Sequence, residues 1–228
     1  MEQHWITREE NRDLIIYALG WGGDYHLVDH IRPDGYDLLC TYDYRTISPV
    51  SPESVARYRR IYLFAWSFGV WVSELIFKGI TFYRTVAMNG TPLPINNRYG
   101  IPTKAFTVTL KGMERVGCDT FNRRTFGNSY NRLADWLECR PFAEKYDELQ
   151  KLYDASTKAY SPTIRWSHAI IGEADVIFPP ANVKAYWDDE SPATEVQLVP
   201  EMPHYPYADP EIVLSQLSAD TLSKLRHE

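Results

Sequence analysis

The 228-residue sequence predicts an α/β protein with a mostly parallel central sheet. Short β-rich runs alternate with helix-patterned segments, the signature of repeated βαβ units. Several runs, LIIYAL at 14–19 and IYLFAW at 61–66 among them, are almost continuously apolar, as strands covered on both faces require. One of these runs passes straight through Ser67 into a helical pattern.

Taken in order, the expected strands are 13–19, 36–42, 60–66, 81–88, 164–171 and 194–199, each rich in β-branched, aromatic or other apolar residues. Helices are expected at 68–78, at 180–188 behind paired prolines, and at 210–225. The last has a loose apolar stripe at Ile212, Val213, Leu217, Leu222 and Leu225. The stretch 91–145 breaks the alternation and opens with TPLP. It carries nine basic against five acidic residues, a net +4 in a chain whose total is −6. A connection of that length between strands is usually a lid or a small inserted domain. The expected division is therefore a core of residues 1–90 and 146–228, with 91–145 as a mainly helical cap over the sheet's C-terminal edge.

Composition narrows the class. At 44% apolar and 24% charged, the chain is neither disordered nor collagen-like. Its acidic balance argues against a nucleic-acid or anionic-membrane partner, both of which need clustered positive charge. Cys40, Cys118 and Cys139 contain no C-x-x-C pair, so neither a disulfide framework nor a zinc knuckle is expected, and a reducing compartment fits. No His/Cys/Asp cluster has metal-ligand spacing, and no metal or other cofactor is expected. The polar N-terminus is no signal peptide, and the most apolar stretch, 61–77, is short of the ~20 residues of a spanning helix. A cytoplasmic monomer is the expectation.

The segment Arg60-Ile-Tyr-Leu-Phe-Ala-Trp-Ser67-Phe-Gly69 has the layout of a nucleophile elbow. A tight strand-to-helix turn holds the serine above the sheet, and small residues are needed two before and two after it, because backbone passes close. Here they are Ala65 and Gly69. Serine attacks only when a base takes its proton and a carboxylate orients that base. In this layout the chain order is serine, acid, histidine. His204, in Pro203-His-Tyr-Pro206 just after the strand TEVQLV, is the candidate base, whereas His227 is penultimate and expected to fray. His168 lies inside an expected strand and reads as a packed histidine. The acid belongs in Gly172-Glu-Ala-Asp175, where Asp175 is favoured and Glu173 is the near rival. Donors for an oxyanion are expected from the backbone N–H of Phe68 and from the glycine-rich turn Gly20-Trp-Gly-Gly23 after the first strand.

With these residues in place, the chain resembles the BioG-type pimeloyl-carrier-protein methyl ester esterases of biotin synthesis. The resemblance runs from about Gly20 to Pro206. It rests on GWGGD at 20–24, YDLLCTYDYR at 36–45, AWSFGVW at 65–71, NGTPLPI with RYGIP at 89–102, GEADVIFPPAN at 172–182 and PHYP at 203–206. It implies an α/β-hydrolase fold, a Ser67–Asp175–His204 triad, and oxyanion donors on Trp21 and Phe68. It also implies the substrate, the methyl ester of a pimeloyl chain held on acyl carrier protein. Phe106, Phe121, Phe126, Tyr130 and Trp136 are candidates to line a tunnel for that chain. Because carrier proteins are acidic, the basic 91–145 segment is the expected docking face, led by Arg123, Arg124 and Arg132. Arg124 and Arg132 share a face if one helix continues through Gly127. Another acyl esterase or thioesterase with the same triad remains the first alternative. A non-catalytic binding module on the same fold is the second, and a structural interaction protein using the basic segment is the third.

Overall fold

The computed structural model describes residues 1–224. Its strands are β1 (Glu2–Thr7), β2 (Asp13–Ala18), β3 (Tyr36–Tyr42), β4 (Arg60–Trp66), β5 (Arg84–Met88), β6 (His168–Gly172) and β7 (Glu195–Val199). They form a seven-stranded sheet in the order β1-β3-β2-β4-β5-β6-β7. Every neighbouring pair is parallel except β1 with β3. The sheet is that of an α/β-hydrolase.

β1 is absent from the sequence-based expectation. As a partly exposed edge strand it needs no continuous apolar run, so its residues EQHWIT carry little signal. β5 and β6 begin later than expected. Thr85 and Ser167 exchange side-chain-to-backbone hydrogen bonds, the Ser167 amide donating to Thr85 Oγ1 (2.8 Å) and the Thr85 amide to Ser167 Oγ (3.1 Å), before the regular ladder starts at Val86 and His168.

Period-2 alternation explains how the central strands are buried on both sides. Leu14, Ile16 and Ala18 of β2 join Leu63 and Ala65 of β4 under α1 (Phe68–Ile76) and α6 (Pro180–Glu190). Ile15 and Tyr17 join Tyr62, Phe64 and Trp66 on the other face, with Val213 and Leu217 of α7 (Glu211–Lys224). Leu225 and His227 lie outside the described residues. Between β5 and β6 run α2 (Thr103–Val116), α3 (Asp119–Phe126), α4 (Tyr130–Leu137) and α5 (Phe142–Ser156). α2 and α5 pack Phe106, Met113, Leu149 and Leu152 on the first face, whereas α3 and α4 pack Phe126, Leu133 and Leu137 on the second. α5 continues past residue 145, where the basic composition stops, because charge balance does not mark a helix end.

The core also explains Ala65. In register across the sheet lie Ala18, Ala65, Ala87 and Ala169, a row of small side chains beneath the start of α1. The row lets helix and sheet approach closely. Gly69 completes the fit: a Cβ there would stand 2.2 Å from the Ala18 carbonyl oxygen and 2.6 Å from that of Leu19. Both obstacles are backbone, which cannot swing aside. Gly69→Ala is expected to destabilise the protein by at least about 1–3 kcal/mol, the usual range for overpacking, read as a lower urea midpoint. An unchanged midpoint would mean that α1 can retreat from the sheet freely.

Candidate active site

Ser67 sits at the C-terminal end of β4 with φ +58° and ψ −127°, a region that side chains other than glycine seldom occupy. The turn is held by the Ser67 amide donating to the Met88 carbonyl (3.0 Å) and by the Val70 amide donating to the Ser67 carbonyl (3.1 Å). Gly20 leaves the space that Ser67 fills, since a Cβ at Gly20 would meet Ser67 Cβ at 2.9 Å. The strained serine is therefore enclosed from the β2 side as well.

His204 Nε2 lies 3.0 Å from Ser67 Oγ, and its Nδ1 lies 2.8 Å from Asp175 Oδ2. All three residues are buried. The other Asp175 oxygen accepts the amides of Ile177 (2.7 Å) and Phe178 (3.0 Å), which fixes the carboxylate's orientation. A carboxylate only accepts, so Nδ1 is the donor in that contact and Nε2 is left to accept the serine proton. Glu173 is exposed in the same turn, and Asp175 is the acid in contact with the imidazole. His168 stands apart, half-buried at the start of β6 with Nδ1 2.9 Å from Ser167 Oγ.

The loop bearing His204 has its own fastenings, and these escaped the sequence reading. Asn89, just past β5 and buried, donates to the carbonyls of Pro203 and His204 (2.9 Å each) and accepts the Gly172 amide (2.7 Å). It thereby ties the ends of β5, β6 and the histidine loop together. Its signal was the Asn-Gly pair directly after a strand: Asn tolerates the positive φ of +46° found here. Trp66 donates its indole N–H to the His204 carbonyl (2.7 Å), and the Phe178 ring lies parallel to the imidazole with centroids 5.7 Å apart.

Above Ser67 opens a small cavity of about 110 Å³. Phe106, Met113, Phe121, Leu149 and Ile177 give it an apolar lining, and Trp21, Phe68, Ser67 and His204 form its floor. Phe68 is the first residue of α1, so its N–H has no acceptor within the helix. Among the described residues neither that amide nor the Trp21 amide donates to another protein group. Both residues line the cavity with Ser67 and His204, and a serine, imidazole and carboxylate so connected can carry out acyl transfer.

Of the five aromatics expected around a tunnel, Phe106 and Phe121 line the cavity. Phe126 packs on Trp66 and Tyr205, Tyr130 lies under Arg123, and Trp136 stacks on His26 at the surface. The arginines also separate. Arg123 pairs with Asp119 (2.9 Å) on its own helix, while Arg124 reaches the rim, donates to the Val176 carbonyl (3.0 Å) and lines the cavity. Arg132 is exposed on α4. A left-handed Gly127 (φ +49°) ends α3 and starts a turn, so the continuous helix that would align Arg124 with Arg132 does not form. Two more basic residues of the 91–145 segment are interior. Arg140 pairs with Glu148 (2.9 Å), and Lys145 donates to the Leu137 carbonyl, with burial pulling its ammonium below its ordinary pKa. The folded chain also brings Cys139 beside Asp24 and His26, with the three ligand atoms within 4.8 Å of one another.

Residues 1–207 fit the family model described as pimeloyl-ACP methyl esterase BioG. The chain belongs to that family. Its fold superimposes on the crystal structure of BioG from Haemophilus influenzae with a TM-score of 0.83 and 33% identity, covering 91% of this chain and 95% of that one. An uncharacterised H. influenzae protein is 36% identical over 78% of this chain and 83% of its own length. A malonyl-[acyl-carrier protein] O-methyltransferase from Bacteroides fragilis is 31% identical over 94% of this chain, which spans 43% of that relative's length. The family and its fold make the chain a carboxylic ester hydrolase. No helix among the described residues is long and apolar enough to cross a membrane.

Asn89→Ala should leave the Pro203 carbonyl and the Gly172 amide without their partner, and the His204 carbonyl with Trp66 alone. The expected stability loss is about 1–3 kcal/mol by urea unfolding, with ester turnover falling about tenfold or more as His204 shifts. Native stability and turnover together would remove Asn89 from the support of the site.

Proposed function

We propose that this protein hydrolyses the methyl ester of a pimeloyl chain carried on acyl carrier protein, releasing methanol and leaving the free pimeloyl acid on its carrier, a step of biotin synthesis. The observation that carries the reading is the line Ser67–His204–Asp175 at 3.0 Å and 2.8 Å, opening into an apolar cavity in a chain of this family. His204 Nε2 accepts the Ser67 proton as Oγ attacks the ester carbonyl, and Asp175 stabilises the imidazolium that forms. The amides of Trp21 and Phe68 take up the charge developing on the carbonyl oxygen. Collapse of the tetrahedral intermediate returns the proton to the departing methoxide, giving methanol and acyl-Ser67. Water, deprotonated by His204, then attacks the acyl-serine carbonyl; the proton passes to Ser67 Oγ, and the acid is freed.

The lining gives this chemistry a direction. A methyl ester hides the terminal carboxylate and lets the chain lie on Phe106, Phe121 and Leu149. Hydrolysis exposes a charge that is costly to keep against apolar walls, which favours release. The helices α2–α5 serve as the cap. With Arg123, Arg140 and Lys145 occupied within the protein, the docking surface for an acidic carrier falls to exposed residues such as Arg132, with Arg124 at the cavity mouth.

Ser67→Ala should abolish turnover of a methyl-pimeloyl carrier substrate by roughly 10⁴-fold or more. Intact-mass measurement reports methyl loss separately from loss of the whole acyl group, so cleavage of the thioester instead would replace this reading with a thioesterase. Asp175→Asn should cost orders of magnitude, whereas Glu173→Gln should be close to silent; the reverse ranking would move the acid to Glu173.

Arg132→Glu should raise KM for the carrier-bound ester a few-fold, consistent with about 0.2–1 kcal/mol for an exposed charge contact, and added salt should mimic it. Turnover of a small soluble ester should not change. Equal losses on both substrates would assign Arg132 a structural task instead.

A further inference from the structure

The loop that presents the Trp21 amide is fastened by one short piece of chain, residues 140–148. Glu148, fully buried on α5, accepts the Gly22 amide on Oε2 (3.3 Å) and the Tyr44 amide on Oε1 (2.9 Å). Arg140, in the turn before α5, directs one nitrogen to both Glu148 Oε2 (2.9 Å) and the Gly23 carbonyl (3.0 Å). Its other terminal nitrogen lies 3.0 Å from Asp43 Oδ1. The Trp21 indole donates to the Lys145 carbonyl (2.6 Å). Residues 21, 22 and 23 thus each have one polar group held by this piece.

A buried ion pair contributes little net stability compared with well-packed apolar side chains. What this pair holds is informative. Its hydrogen bonds end on the peptide groups of Gly22 and Gly23, immediately beyond the free Trp21 amide. Glu148 does not line the cavity, so it is no alternative base, although its neighbour Leu149 does.

We propose that Glu148 and Arg140 are positioning residues of the oxyanion hole, a buried carboxylate–guanidinium clamp that sets the peptide planes of residues 21–23 so that the Trp21 N–H points at the oxygen of the Ser67 adduct. The inference rests on the reading of Ser67 as nucleophile. Oxyanion donors work because they are oriented before charge develops, and removing one donor typically costs about 10²–10³ in turnover. A donor loosened but not removed should cost less.

The test is Glu148→Gln, which keeps the side chain's shape and cannot accept from Gly22, Tyr44 and Arg140 at once. On a small soluble ester kcat should fall about 10–100-fold, with KM within about twofold. Affinity for a boronic acid that forms a tetrahedral adduct on Ser67 should fall by the same factor as kcat, while affinity for the product acid should persist. Deuterium uptake should rise in the peptide containing residues 20–24 and stay unchanged in peptides from β4 and β5. Arg140→Lys, which keeps the charge and loses the fork, should give the same pattern and serves if Glu148→Gln fails to fold. Unchanged kcat and boronate affinity would overturn the inference. So would a parallel loss of KM, boronate affinity, product affinity and global exchange protection, the pattern of a purely structural pair. If Ser67→Ala retains turnover, the nucleophile reading itself falls; if Ser67→Ala is dead and Glu148→Gln fully active, only the clamp falls.

Discussion

Everything in the site hangs on the backbone of one residue. Ser67 turns the chain from β4 into α1 with φ +58°, a conformation unfavourable for serine by about 1–3 kcal/mol in isolation. The surroundings over-determine it. The alanine row brings α1 down onto the sheet, Gly69 passes the backbone of β2 at contact distance, and Gly20 and Gly90 leave room on either side of the serine. A side chain added at any of these positions would push the turn out of place.

The remaining parts arrive from loops at the same C-terminal edge. Parallel strands deliver five of them there: the loop of residues 20–23 after β2, Ser67 after β4, Asn89 after β5, Asp175 after β6 and His204 after β7. Since adjacent parallel strands end side by side, residues more than a hundred positions apart meet without any long reach. Asn89 shows how the edge is made rigid. One amide side chain satisfies two carbonyls and one N–H from separate loops, so the histidine cannot drift relative to the acid.

Charge divides between two tasks in the segment joining β5 to β6. Its basic surplus suggests a single docking face, yet Arg140 and Lys145 are inside, bound to a carboxylate and a carbonyl. Interior cations need compensating partners and contribute nothing to long-range attraction of an acidic protein. What remains outside is a smaller, more scattered set, on helices separated by the turn at Gly127. The same segment therefore reaches inward to the loop of Trp21 and Gly23 and outward to solvent.

The sequence by itself determined the parallel core, because strands buried on both faces need apolar side chains at every position, as in LIIYAL and IYLFAW. It also determined the elbow and the order of serine, acid and histidine, since tight turns and strand ends are local matters of residue size and spacing. Edge strand β1 was lost to the same logic, being half-exposed and free of that demand. The tertiary structure alone shows which of the two carboxylates meets the imidazole: Asp175, favoured from the sequence, lies 2.8 Å from His204 Nδ1, whereas its near rival Glu173 is exposed. It alone decided which arginines are free, and it alone brought Glu148 to Gly22 and Asn89 to His204. Those are contacts across 126 and 115 positions, and their partners are backbone groups. A peptide N–H or carbonyl is the same at every residue, so no side-chain pattern announces which one a distant carboxylate or amide will find.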